Sequence, residues 1–165
     1  MLPLTLIATQ KVANLLVQGD ALAQRIAAIA AAANLSIPAI DSTQVVISAV
    51  TPDVGDRDVQ MSYPRVCLYS NLVKNAQSEK FRSFSGAVGV VAETWASANL
   101  VTQADQWIHY YVEAITGILR SSIGDWGDNM FFSGRYDVKF QPPKAGGLGF
   151  VESAAIACSI DVSLN

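Results

Sequence analysis

The sequence predicts a single-domain α+β protein, in which one mixed or antiparallel β-sheet of about five strands packs against two main helices. Two segments repeat apolar residues at three- and four-residue steps, the period of an amphipathic helix, and the runs outside them alternate as strands do. The chain of 165 residues, 17.6 kDa, is the size of one ordinary domain. The predicted order is α-β-β-β-α-β-β, with residues 1–165 as one domain.

The first helix is predicted from an apolar stripe that runs from Val12 to Ala33. Asn34 and Pro38 supply the signals that end it. Gly19 and Asp20 mark a kink or a break between two shorter helices.

Three strands are predicted next, over Gln44–Val50, Arg65–Leu72 and Phe84–Trp95. The segments between them, 51–64 and 71–83, are polar or rich in turn formers and are expected to be surface loops. The third strand is fairly apolar on both faces. It is therefore expected at the centre of a sheet that is covered on both sides.

A second helix is predicted to begin at Thr102 and to end by Gly124. Thr102 and Asp105 have the spacing of a capping box, with Asp in the place of Glu. The apolar stripe includes Ile108, Tyr111 and Ile115 and is the clearest helical pattern in the chain.

The last third predicts a hairpin, because residues 135–141 and the run from Leu148 onward both alternate. Fully extended, the second run would reach roughly 50 Å at about 3.3 Å per residue. This is longer than one neighbouring strand is expected to cover. We therefore expect a bulge or bend near Glu152–Ala155, or an end that pairs with another subunit.

Charge and cysteine usage argue against several classes of protein. The net charge is -3 and no cluster of Lys or Arg occurs, which disfavours a dedicated nucleic-acid binder. Cys67 and Cys158 lie in apolar runs without His or Cys at metal-ligand spacing and are expected to be buried free thiols. No run of about 18 uncharged apolar residues predicts a membrane span, so synthesis in the cytoplasm is expected.

No enzyme, cofactor or metal site is predicted. His109 has Asp105 and Glu113 one helical turn away on either side, which is ordinary charge patterning on a solvated face. An acid–base or ligand site assembled around these three residues stays open as an alternative. Two Asp-Gly clusters, at residues 53–58 and 124–128, are expected to form turns rather than to hold a cation.

The second half of the chain, roughly residues 65–165, resembles the tail-terminator and neck-joining proteins of long-tailed bacteriophages. The resemblance lies in the arrangement of a glycine-containing strand (SFSGAVGVVAETW), a Trp-bearing helix (TQADQWIHYYVEAITGIL) and a closing hairpin (GRYDVKFQPPKAGGLGFVESAAIACSIDV). The alanine-rich first helix has no counterpart in that resemblance.

The resemblance implies a virion protein of the neck or tail end, made in the host cytoplasm, that closes into a homo-oligomeric ring, usually a hexamer. Such a ring caps the tail tube, meets the head-completion or connector protein, and lets DNA pass without sequence-specific binding. Another neck or minor tail adaptor fits the same resemblance. The candidate interface residues lie in two loops and a hairpin tip: Asp53, Asp56, Arg57, Asp58, Lys74, Glu79, Lys80, Arg82, Lys144, Gly146 and Gly147.

Overall fold

A curled, mixed sheet forms the centre of the fold. The computed structural model describes residues 3–48, 62–76, 84–146 and 149–164, and these ranges contain seven strands and three α-helices. The helices are α1 (Leu4–Val17), α2 (Ala21–Ala33) and α3 (Val101–Ser121). The strands are β1 (Val45–Ile47), β2 (Arg65–Asn75), β3 (Phe84–Ala98), β4 (Gly124–Gly127), β5 (Met130–Phe140), β6 (Lys144–Gly146) and β7 (Gly149–Leu164).

The α+β class is confirmed, but the predicted count of five strands and the predicted strand order are wrong. Two short strands were missed. β4 has only four residues, two of them glycine, and β6 has three, so neither carries enough alternation to be recognised. The predicted strand 135–141 begins earlier, at Met130, and the third strand continues to Ala98.

The predicted break in the first helical segment is confirmed at Gly19 and Asp20. Both residues have left-handed backbone angles, with φ of 60° and 56°. The segment Leu4–Ala33 as a whole is long and apolar enough to cross a membrane by length and composition, with a mean hydropathy of 1.2. In the structure it is two helices, and Val12, Leu16 and Ile26 belong to the core.

The sheet has the order β1-β2-β3-β7-β5-β4, with β6 also paired to β7. Only β1 and β2 are parallel; the other pairs are antiparallel. β3 and β7 are the central pair and run together without a register shift from Phe84 opposite Leu164 to Ala98 opposite Phe150.

The expectation that β7 is too long for one neighbour was wrong, because β3 is nearly as long and pairs with almost all of it. No bulge occurs at Glu152–Ala155. The irregularity lies instead in β5, between Phe132 and Tyr136, where Gly134 has a φ of 87°. The second neighbour of β7 is divided between β5 and β6.

The described helices cover one face of the sheet. The core joins Leu16 and Ile26 from the first two helices, Ile115 from α3, and Val90 and Ile156 from the central strands. The helix-free face carries the alternate residues of the same strands, among them Cys67, Val91 and Ala157 by their register. The prediction that β3 is central is therefore confirmed, but no described helix covers its second face.

The predicted cap and end of α3 are wrong. The helix begins at Val101, its N-cap residue is Leu100, and no side chain caps it. It ends at Ser121, three residues before Gly124, which instead starts β4 with a φ of 136°. Thr102 is therefore the second residue of the helix and not its N-cap, so the capping-box pattern does not form.

Candidate functional site: the two open edges of the sheet

The outer edge of β2 is covered over only part of its length. β1 pairs with Val66, Cys67 and Leu68, and no other described strand pairs along this edge as far as Lys74. A strand edge of this kind leaves backbone N–H and C=O groups free to pair with another chain. Leu72 is 54% exposed and Val73 is 50% exposed, so two large apolar side chains of this stretch are half exposed.

The outer edge of β5 is likewise open over most of its length. β4 pairs with residues 130–132. No described strand pairs with the outer edge of β5 over Ser133–Phe140. Asp137 and Lys139 alternate with Tyr136 and Val138, which pack against the core. The alternation fixes which side chains face the helices and which face away.

Large exposed apolar side chains lie on or beside both edge strands. We call Leu6, Ile47, Leu72 and Val73 the β2-edge patch, and Ile123, Phe131 and Phe140 the β5-edge patch. Phe131 and Phe140 lie near opposite ends of β5 and on opposite faces of the sheet. Since β2 and β5 are separated by β3 and β7, the two patches lie on opposite sides of the subunit.

Two shallow depressions lie on the helix-free face between the edges. The larger, of about 500 Å³, is lined from four strands and includes Lys74, Arg135 and Asp161. Arg135 Nη2 lies 3.4 Å from Asp161 Oδ2. The smaller, of about 350 Å³, lies between Leu72 and Asp137. Both depressions are open to solvent and have linings that are part polar and part apolar, unlike the enclosed, mostly apolar pocket of a small-molecule site.

The predicted interface residues are only partly described. Lys74 lies near the end of β2, and Lys144 and Gly146 lie in β6. Lys144 pairs opposite Val151, near the start of β7. Lys74 lies opposite Ala87 of β3, at the level of the end of β7, so the structure does not bring the two lysines together. The remaining candidates lie outside the described residues: Asp53, Asp56, Arg57, Asp58, Glu79, Lys80, Arg82 and Gly147.

Of the two carboxylates in the alternative site around His109, the structure places only Asp105 near the histidine. His109 Nε2 lies 3.7 Å from Asp105 Oδ1, but Glu113 Oε1 accepts a hydrogen bond of 2.6 Å from Arg120. The His109 ring instead packs on Phe140, with centroids 4.6 Å apart.

Sequence reasoning missed the carboxylate that does join this cluster, Glu152. Glu152 is only 4% exposed, and its Oε2 is buried without a hydrogen-bond partner among the described residues. Burial, and then the neighbouring Asp105 carboxyl, raise the pKa of Glu152 to about 7. A lone Glu inside the small-residue run VESAAIA was the available signal.

A second polar cluster lies on the helix-free face. Burial raises the pKa of Glu93, and a hydrogen bond from Tyr69 partly offsets the effect. Burial also raises the pKa of the Cys67 thiol, against the lowering effect of Arg65. A thiol held in its neutral form is a poor nucleophile. The expectation that both cysteines are buried and free is confirmed.

The Asp-Gly cluster before β5 forms a turn, as predicted. Asp125 accepts a hydrogen bond of 2.8 Å from the Gly127 N–H, and Asp128 pairs with Lys11 at 2.7 Å. Asp128 and Asn129 have φ of 55° and 60° and connect β4 to β5. The other cluster, residues 53–58, lies outside the described residues. Within the described ranges no three His, Cys, Asp or Glu side chains are grouped to hold a metal.

No protein-family model matches the chain, and no curated protein matches it.

Proposed function

We propose that the protein is a structural component of a bacteriophage virion that works as a homo-oligomeric ring. In this role it acts as a tail terminator, capping the tail tube and joining it to the head-completion complex. The ring is a hexamer by the resemblance of residues 65–165 to that family. Its action is geometric, because copies held side by side present a fixed surface to the tube and to the connector.

The observation that supports this proposal best is the pair of edges, at opposite sides of one sheet, that the described strands leave largely uncovered. Closure of a ring by a head-to-tail interface needs two different patches on each subunit. The β2-edge patch and the β5-edge patch meet that requirement.

A different class of function is favoured by one observation, the buried Glu152 beside Asp105, whose carboxylate lies 3.7 Å from His109 Nε2. Perturbed carboxyls near a histidine are typical of acid–base sites. Under that alternative, His109→Ala abolishes an activity. Under the ring proposal, the same substitution leaves the mass of the oligomer unchanged.

Size exclusion coupled to light scattering over a concentration series tests the ring. We expect one discrete mass that is a multiple of 17.6 kDa and that persists on dilution into the micromolar range. A protein that stays monomeric at high concentration, and that also fails to bind purified tail-tube ends in negative-stain images, contradicts the proposal.

A further inference from the structure

We infer that the ring closes by strand addition: the open edge of β2 in one copy pairs antiparallel with the open edge of β5 in the next, with Val73 opposite Val138. The inference rests on the proposed head-to-tail oligomer and specifies the interface that forms it. The occupant of each edge is thus a second copy of the same chain.

Strand direction fits this pairing. β2 and β7 run one way, and β3 and β5 run the other, because each neighbouring pair from β2 to β5 is antiparallel. When copies are related by a rotation that keeps the strand directions, β5 of one copy meets β2 of the next in opposite directions. The added pair is therefore antiparallel, like the three pairs inside each subunit.

The side-chain faces restrict the register. Val73 lies opposite Val88, and Val138 lies opposite Ile156, so both belong to the helix-covered face. Lys74 and Asp137 belong to the helix-free face, because they are the next residues along each strand. A register that places Val73 opposite Val138 therefore also places Lys74 opposite Asp137.

Charge selects this register from its neighbours. A shift of two residues in one direction would place Lys74 opposite Arg135, and a shift in the other direction would place it opposite Lys139. Like charges directly opposite one another are destabilising, whereas an opposite pair is stabilising. Among the described residues, neither Lys74 nor Asp137 has another ion pair that would compete.

The covering strands leave room for the contact. The matched stretches are residues 72–74 of β2 and 137–139 of β5. Leu68, the last residue of β2 that pairs with β1 in the described part of the chain, would lie opposite residue 143, beyond the end of β5. The irregularities, at Asn71 in β2 and at 133–135 in β5, lie outside both stretches.

The register also sets a stagger that is compatible with closure. Within one subunit, Asp137 shares a row across the sheet with Ala157, Val91 and Tyr69. Lys74 belongs to a different row, which crosses β3 at Ala87. Pairing Asp137 of one copy with Lys74 of the next therefore displaces the next copy along the strands by four residues, the distance from Ala87 to Val91 on β3. A displacement of four residues over the four strands β2, β3, β7 and β5 tilts the strands by about 35° from the ring axis, within the usual range of closed sheets.

The register is tested by a disulfide between copies. In the variant Val73→Cys/Val138→Cys, directly opposed Cβ atoms lie within or close to bridging distance. A bridge inside one subunit is excluded, because three strand spacings of about 4.8 Å separate β2 from β5. With oxidised glutathione as the oxidant, we expect a ladder of linked multimers on non-reducing gels, at least several-fold above either single variant.

The matched control is Val73→Cys/Phe140→Cys, which lies two residues out of register on the same face. We expect little linkage from it. Equal linkage in both double variants, or none in either while light scattering shows the oligomer, overturns the strand-addition inference and leaves the ring standing. A monomer at all concentrations overturns the ring and the inference together.

A charge exchange gives an independent readout. Lys74→Asp and Asp137→Lys are each expected to raise the dissociation constant of the oligomer several-fold. The double variant is expected to recover most of the lost affinity. Single effects that simply add in the double variant contradict the proposed pair.

Discussion

Replacement of Glu152 by Gln is expected to stabilise the protein at alkaline pH. Glu152 is buried beside Asp105, and its pKa is raised to about 7 from an ordinary value of 4.5. A carboxyl with a raised pKa in the folded state binds its proton more tightly there than in the unfolded chain. The stability that depends on that proton is present below pH 4.5 and is lost as the pH rises through 7.

The magnitude follows from the size of the shift. A change of about 2.5 pKa units at about 1.4 kcal/mol each gives roughly 3 kcal/mol. Asp105 is 59% exposed, so water screens part of its effect on Glu152, and about 2 kcal/mol is expected to remain. Gln keeps the shape of the side chain and removes the charge. At pH 8 the free energy of unfolding of Glu152→Gln is therefore expected to be about 2 kcal/mol higher than that of the wild type.

Urea unfolding followed by circular dichroism, at pH 4.5, 6, 7 and 8, measures the effect. The free energies of unfolding of the two proteins should nearly coincide at pH 4.5 and diverge steadily above it. Glu113→Gln is the control, because Glu113 is exposed and paired with Arg120. A constant difference between wild type and Glu152→Gln across this range would refute the reasoning.

Two further substitutions test the packing. Tyr111→Phe removes the hydrogen bond of 2.8 Å that the buried Tyr111 hydroxyl donates to the Pro38 carbonyl, and we expect a loss of about 1 to 2 kcal/mol in the free energy of unfolding, against little change for Tyr110→Phe. Equal effects of the two changes would be evidence against that bond. Gly86→Ala places a Cβ atom in overlap with the Lys74 backbone carbonyl, so we expect a loss of about 2 kcal/mol or more by the same assay. Gly146→Ala meets only Val151 at an ordinary 3.5 Å and is expected to cost less than about 1 kcal/mol, so a Gly86 variant no worse than this control would contradict the close approach of β2 and β3.

The sequence predicted those elements whose own pattern determines them. The stripe along α3 and the alternation in β7 each extend over more than a dozen residues, so local periodicity was enough. The break at Gly19 and Asp20 was also predictable, since glycine accepts the left-handed backbone that the turn requires.

Pairing between distant strands could not be predicted in the same way. The match of β7 with all of β3 depends on the length of both, and β3 continues past Trp95 through the small residues Ala96, Ser97 and Ala98, which have little preference for a strand. Within the described ranges, the open edges of β2 and β5 likewise follow from how little of each strand β1 and β4 cover.

The neighbours within the acidic cluster were only partly predictable from the sequence, for the same reason. Asp105 and His109 were predictable as neighbours because they are one helical turn apart. Glu152 reaches Asp105 from 47 positions along the chain, near the start of β7, and nothing local to Glu152 indicates that neighbour. Glu113 has equivalent spacing but bonds to Arg120 instead.

Electron microscopy of the purified chain at high concentration tests most directly whether copies join through the edges of the sheet. We expect closed rings with a central opening, whose inner wall is a continuous sheet with strands tilted by about 35°. Isolated subunits, or rings in which the sheets of neighbouring copies do not touch, would contradict it.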